Sequence, residues 1–229
     1  MVNTNKSFCI FPFIELLVYD GNTTVCCRSQ KPITQINQLD NFSTDANYQT
    51  IRQSMLDGDL LPEHCSACYK LEARGILSAR QQETVEWATR LDLTSINDLR
   101  HITKPVYYEV RPSNICNLQC RMCNPDSSHL IAKEYKQIGL MKDLIKDYTE
   151  KEYSDFSFID FTNLKKLYVA GGEPTAMPEF YSFLDRCIQN KQTDFELVIN
   201  TNDWCWQNSN CAGLVVERNI AARNRQAHL

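Results

Sequence analysis

Cys116, Cys120 and Cys123 put three thiols into the segment Cys116-Asn117-Leu118-Gln119-Cys120-Arg121-Met122-Cys123, with the spacing C-x3-C-x2-C. Thiolates are soft ligands, and a loop this short can wrap one small inorganic core, whereas four-thiolate zinc and rubredoxin-like sites pair two C-x2-C units. Three thiolates on a four-iron cube leave one iron without a protein ligand. Catalytic sites keep such an open position and purely structural sites close it. The alternatives are a zinc site or free buried thiols. Forty-eight residues after Cys123 comes Gly171-Gly172-Glu173-Pro174. Its glycines permit close backbone approach, and Glu173 offers an anionic acceptor for an ammonium group. Standing alone, the tetrapeptide is equally a turn.

A second group of thiols lies near the amino terminus: Cys9, then Gly21 after eleven residues, Cys26 after four more, and later the pair Cys65 and Cys68. A hairpin turn at Gly21 brings Cys9 and Cys26 near each other, and the Cys65/Cys68 pair completes four thiolates. Four ligands close every iron, which suits an electron relay or a structural staple. Four cysteines also suit zinc, and spacing does not separate the two. Cys27 competes with Cys26 as ligand. Cys187, beside Leu184 and Ile188 on a predicted helix, reads as a core cysteine. The four histidines show no metal-ligand spacing; His64 reads as a surface-loop residue.

The elements that must position these residues follow from pattern. Phe11–Val18 is rich in β-formers and ends at Asp20-Gly21-Asn22, after which Thr23-Thr24-Val25 resumes, so a hairpin is predicted. Asp45–Leu56 predicts a short helix ended by Gly58, with Cys65 and Cys68 in the loop beyond it. Residues 69–91 are helical in propensity, with Gly75 as a weak point, and a linker runs to Lys104-Pro105. Val106–Arg111 predicts a strand, residues 112–126 a cysteine loop, and Ser127-Ser128 the cap of a helix to Gly139. A helix near Met141–Lys151, a strand over Leu164–Ala170, a helix over Pro178–Gln189 and a strand over Phe195–Asn200 follow. This alternation implies βα units and a parallel sheet.

Length and composition set the frame. With 229 residues, 43% hydrophobic and 23% charged, the chain suits a medium domain plus a smaller one rather than a disordered polymer. A net charge of −4 supplies no basic field, so nucleic acid is not an expected partner. The longest apolar stretch, Cys9–Tyr19, is broken by Pro12 and Glu15 and is too short for a bilayer, and nothing around it reads as a signal peptide. A cytoplasmic location is expected. In that reducing compartment, eleven cysteines are better explained by metal or cluster ligation than by disulfides.

The stretch from Ser113-Asn114-Ile115 through Cys123, together with Gly171-Gly172-Glu173-Pro174, resembles the signature pair of the radical S-adenosylmethionine (SAM) superfamily. There, the first strand leads into C-x3-C-x2-C and the second ends in G-G-E-P. The resemblance implies a [4Fe–4S] cluster on Cys116, Cys120 and Cys123 whose open iron chelates the amino and carboxylate groups of SAM. Gly171, Gly172, Glu173 and Pro174 would receive the SAM amino group. An electron from the reduced cluster would cleave the sulfonium to methionine and a 5′-deoxyadenosyl radical, which takes hydrogen from a substrate. Met122 stands where the family often has an aromatic residue. Asn114 and Asn117 are expected to shape the loop through side-chain to backbone bonds.

The pattern C-x11-G-x4-C with a distant C-x2-C resembles the twitch domain, a shortened relative of the SPASM domain, which implies an auxiliary [4Fe–4S] cluster on Cys9, Cys26, Cys65 and Cys68. The spacing from Gly21 favours Cys26 over Cys27. In the family this module usually follows the core; here it precedes it.

The expected fold class is thus α/β: a partial (β/α) parallel-sheet barrel of about three βα units, preceded by a small hairpin-plus-helix cysteine-rich domain. Residues 1–92 form the twitch/SPASM-like domain with a helical linker, 105–202 the partial radical SAM core, and 203–229 an atypical tail. The family core has about six βα units, so a core truncated by a frameshift or an incomplete reading frame is expected, with catalytic competence open. Expected partners are SAM, an electron donor and a peptide or small-molecule substrate, with no membrane. The alternative function is a non-catalytic iron–sulfur or zinc-binding protein.

Overall fold

The computed structural model describes residues 6–29, 31–140 and 156–202 and divides the chain into two compact units, Met1–Tyr108 and Glu109–Leu229. The first contains α1 (Phe11–Ile14), β1 (Glu15–Tyr19), β2 (Asn22–Thr24), β3 (Pro32–Gln35), α2 (Ala46–Asp57), α3 (Pro62–Glu72) and α4 (Ala79–Arg90). Its strands lie in the order β3-β2-β1, both neighbouring pairs antiparallel. The predicted hairpin is present: Asp20 at φ +53° and Gly21 at φ +74° form a two-residue turn that sets Tyr19 opposite Asn22. Two successive left-handed residues match the twist of the flanking strands.

The strand predicted from Phe11 starts only at Glu15. Phe11–Ile14 is a helical turn instead, with Pro12 in its first turn and all four side chains buried. Proline's fixed φ suits that position, and a segment buried on every side has no need of strand alternation. α2 agrees with expectation: the Asp45 carboxylate accepts from Asn47 N–H and Tyr48 N–H, both at 3.0 Å, and Gly58 at φ +89° ends the helix. Cys65 and Cys68, expected in a loop, lie on α3, which Pro62 opens. Their three-residue separation places both on one helix face. The single helix expected over residues 69–91 is two, because Gly75 at φ +72° breaks it and Ser78 and Gln81 form a capping box that starts α4.

Arg80 fastens this unit. It is 6% exposed, pairs with Glu72 at 2.5 Å and donates to the Phe8 carbonyl beside Cys9. Replacing it by leucine leaves the Glu72 carboxylate and the Phe8 carbonyl without their main partner. A loss of about 3 kcal/mol is expected, read as a lower urea midpoint of the first unit.

The second unit carries most of β4 (Tyr107–Arg111, whose first two residues close the first unit), then α5 (His129–Gln137), β5 (Lys166–Val169), α6 (Pro178–Gln189) and β6 (Glu196–Ile199). The strand order is β4-β5-β6 and β5 runs parallel to β6, with Leu167 opposite Leu197. This strand–helix alternation is the mixed α/β arrangement expected for the region. α6 buries Phe180, Phe183, Leu184 and Cys187, a helical-period stripe, against Phe156, whose ring is 4.7 Å from that of Phe183. Cys187 is buried as expected, while Ile188 is exposed. The helix predicted near Met141–Lys151 and the tail with Trp204, Cys205, Trp206 and Cys211 lie outside the described residues. Among the described residues, no helix is long and apolar enough to cross a membrane.

Candidate cluster and cofactor site

The cysteine loop between β4 and α5 is held by its own polar side chains. Asn114 Nδ2 donates to the Pro125 carbonyl at 3.1 Å, the side-chain to backbone bond expected of it, and the Asn114 carbonyl accepts from His129 N–H at 2.8 Å. His129 Nδ1 in turn accepts from Cys116 N–H at 3.1 Å. Ser128 accepts from Ile131 N–H at 3.5 Å as the cap of α5, and its hydroxyl donates to the Leu118 carbonyl at 3.0 Å. The start of the helix and the loop therefore set each other's geometry.

Within the loop, Cys116 is buried, Cys123 half-buried and Cys120 exposed. The three are electrostatic neighbours. Burial pushes the Cys116 thiol up, and Glu173 and Cys120 add to it; burial pushes Cys123 up, followed by Cys120 and Cys116. Cys116 Sγ accepts from Leu118 N–H at 3.5 Å. Met122 is 85% exposed.

The Gly171–Pro174 turn lies directly on this loop. Glu173 N–H donates to the Ile115 carbonyl at 2.7 Å. Gly172 sits at φ +57°, and a Cβ there would strike the Ile115 carbonyl oxygen and stand 2.9 Å from the Ile115 nitrogen. Only glycine allows this backbone-to-backbone approach. Glu173, expected to offer its carboxylate to an ammonium group, is 1% exposed and already engaged. Its Oε1 accepts from Thr175 N–H at 3.0 Å, Thr175 Oγ1 at 2.5 Å and Thr201 Oγ1 at 2.7 Å, and its Oε2 from Asn202 N–H at 2.7 Å. The carboxylate thus ties the end of β6 to the glycine turn.

In the first unit, Cys9, Cys65 and Cys68 are buried, Cys26 is half-buried and Cys27 is exposed. Burial pushes the Cys9 thiol up, and Cys26, Cys65 and Glu15 add to it. Cys26 is also raised, by burial first and Glu15 next. Cys65 is pushed up to about 11, mainly by burial, with Cys68 contributing. The fold therefore brings the four expected thiols into one neighbourhood. His64 is no surface-loop residue: it lies on α3, is 8% exposed, and its Nδ1 is 3.1 Å from Ser29 Oγ. Burial lowers its pKa.

Among the described residues, no three His, Cys, Asp or Glu side chains are arranged to hold a single metal ion. A four-iron cube holds its thiolates further apart than one ion does, so neighbouring but separated thiols fit the larger group. In the residue after Cys116, the Asn117 Nδ2 atom is buried with no hydrogen-bond partner. Thr201, Asn202 and His129 took no part in the sequence reading of the site. Their contacts span 13 to 86 positions and leave no local signal.

Residues 110–207 match the family model for the radical SAM superfamily. That segment is similar to the superfamily, whose chemistry rests on a [4Fe–4S] cluster and SAM. No curated protein and no solved structure matches the chain.

Proposed function

We propose that the chain binds a [4Fe–4S] cluster through Cys116, Cys120 and Cys123 and binds SAM beside it, against Gly171, Gly172, Glu173 and Pro174, for reductive cleavage and modification of a peptide or small metabolite. When bound, the cluster supplies the electron that converts SAM to methionine and a 5′-deoxyadenosyl radical. The observation that carries the reading is the close seating of Gly172 and Glu173 on the loop that presents the three thiols. Because the Glu173 carboxylate is engaged, its part is to hold the turn, and the half-buried backbone of Gly171 and Gly172 is left to meet the SAM amino group. Burial of Cys116 shields one side of the site from water, and the exposed Cys120 leaves a side for entry.

Cys9, Cys26, Cys65 and Cys68 hold an auxiliary [4Fe–4S] cluster in a twitch-like unit, which relays electrons or staples the fold. Cys26 is the better ligand than Cys27, because it sits among the other thiols while Cys27 is exposed.

Anaerobic reconstitution with iron and sulfide, followed by metal analysis and addition of dithionite and SAM, tests the proposal. About eight irons per chain with 5′-deoxyadenosine is the expected result. The same iron without product identifies a non-catalytic iron–sulfur protein, and a colourless zinc-containing chain rejects both clusters.

A further inference from the structure

The end of β6 reaches the first cysteine of the loop through one side chain. Asn202 follows the strand, and its backbone N–H is fixed by Glu173 Oε2 at 2.7 Å. Thr201, beside it, is fixed by Glu173 Oε1 at 2.7 Å. So anchored, Asn202 extends its Nδ2 to Asn117 Oδ1 at 2.9 Å and lies 4.0 Å from Cys116 Sγ. The bond determines which way the Asn117 amide faces. Its oxygen accepts from Asn202 and lies 4.0 Å from Cys116 Sγ, while its nitrogen is buried and without a partner.

We propose that Asn202 is a positioning residue for the SAM-binding cluster: it directs an N–H toward the Cys116 sulfur and occupies the Asn117 amide oxygen, the acceptor that faces the same sulfur. The proposal rests on Cys116 being a cluster ligand. Donors aimed at a ligating sulfur stabilise the more electron-rich, reduced state, so their presence raises the reduction potential. Glu173 sets the donor's position through the backbone, which links the glycine turn to the electronics of the cluster as well as to SAM.

The test is a redox titration of the full chain after anaerobic reconstitution, following the electron paramagnetic resonance signal that changes on addition of SAM, with iron analysis of every sample. Asn202→Ala and Asn202→Asp are expected to keep the parent's iron content and to titrate at a lower midpoint potential. The aspartate shift is the larger, because it adds negative charge as well as removing the donor. Asn202→Gln keeps a donor and is expected between the alanine variant and the parent. Ser182→Ala, on the outer side of α6, is expected to titrate with the parent. Alanine and aspartate variants with the parent's midpoint overturn the inference.

Loss of iron from those two variants but not from Asn202→Gln supports it, since the donor is what differs. Equal loss from all three assigns Asn202 to packing and overturns it. A parent chain with no SAM-sensitive signal rejects the cluster assignment itself, and the inference with it, which separates that failure from the others.

Discussion

Replacing Cys116, Cys120 and Cys123 together by alanine is expected to lower the iron of the reconstituted chain from about eight to about four atoms and to abolish 5′-deoxyadenosine formation. The three thiols belong to one loop of the second unit, whereas Cys9, Cys26, Cys65 and Cys68 lie in the first. Each group is an electrostatic neighbourhood of its own. The remaining iron should therefore give a signal indifferent to SAM. Little folding cost is expected, because Cys120 is exposed, Cys123 half-buried and the loop's polar staples come from Asn114, Ser128 and His129. Iron analysis and resonance spectra before and after SAM provide the check. Loss of all iron in the triple variant contradicts two independent sites.

Gly172→Ala is expected to be nearly as damaging without touching a thiol. The residue lies at φ +57°, where a side chain costs roughly 1–2 kcal/mol. The added carbon also meets the Ile115 carbonyl and nitrogen, which are backbone atoms and cannot rotate away. Overpacking of this kind costs a further 1–3 kcal/mol or so, for a total of about 3 kcal/mol. The expected readouts are a lower urea midpoint of the second unit and a fall of at least about 100-fold in 5′-deoxyadenosine formation. On the proposed reading, displacing the turn by even an ångström would misplace SAM beside the cysteine loop. Gly139→Ala separates the two causes. Gly139 has φ +74° but nothing within 4 Å of its added carbon, so only the backbone penalty of roughly 1 kcal/mol and unchanged SAM cleavage are expected. Equal damage from both variants contradicts the contact with Ile115 as the cause.

Elements dictated by local chemistry were legible in advance. The Asp20-Gly21 turn, the Asp45 cap with Gly58, the Ser128 cap and the Pro178–Gln189 helix each depend on interactions within a few residues, and each is present. The errors share a cause as well. At Phe11–Ile14, β-forming residues turn helical because Pro12 opens the turn and the surroundings bury every side. At Gly75, a weakness that a helix can tolerate became a break because a good cap stood three residues later at Ser78. His64 looked exposed because its partner, Ser29, is thirty-five positions away.

The sequence by itself determined the resemblance to the radical SAM superfamily. C-x3-C-x2-C and the Gly-Gly-Glu-Pro turn are local spellings, and their order along the chain sufficed to identify the radical SAM segment that residues 110–207 match. It did not determine what Glu173 does. Read from its residue type, that carboxylate was an acceptor awaiting a ligand; in the fold it is filled by Thr175, Thr201 and Asn202 and serves to fasten β6 to the turn. Nor did it show that Asn202 stands beside Cys116, 86 positions away in the chain. Ligand type and spacing are properties of a short segment. Which donors and acceptors satisfy one another across a parallel sheet depends on strand order and register, which only the tertiary structure supplies.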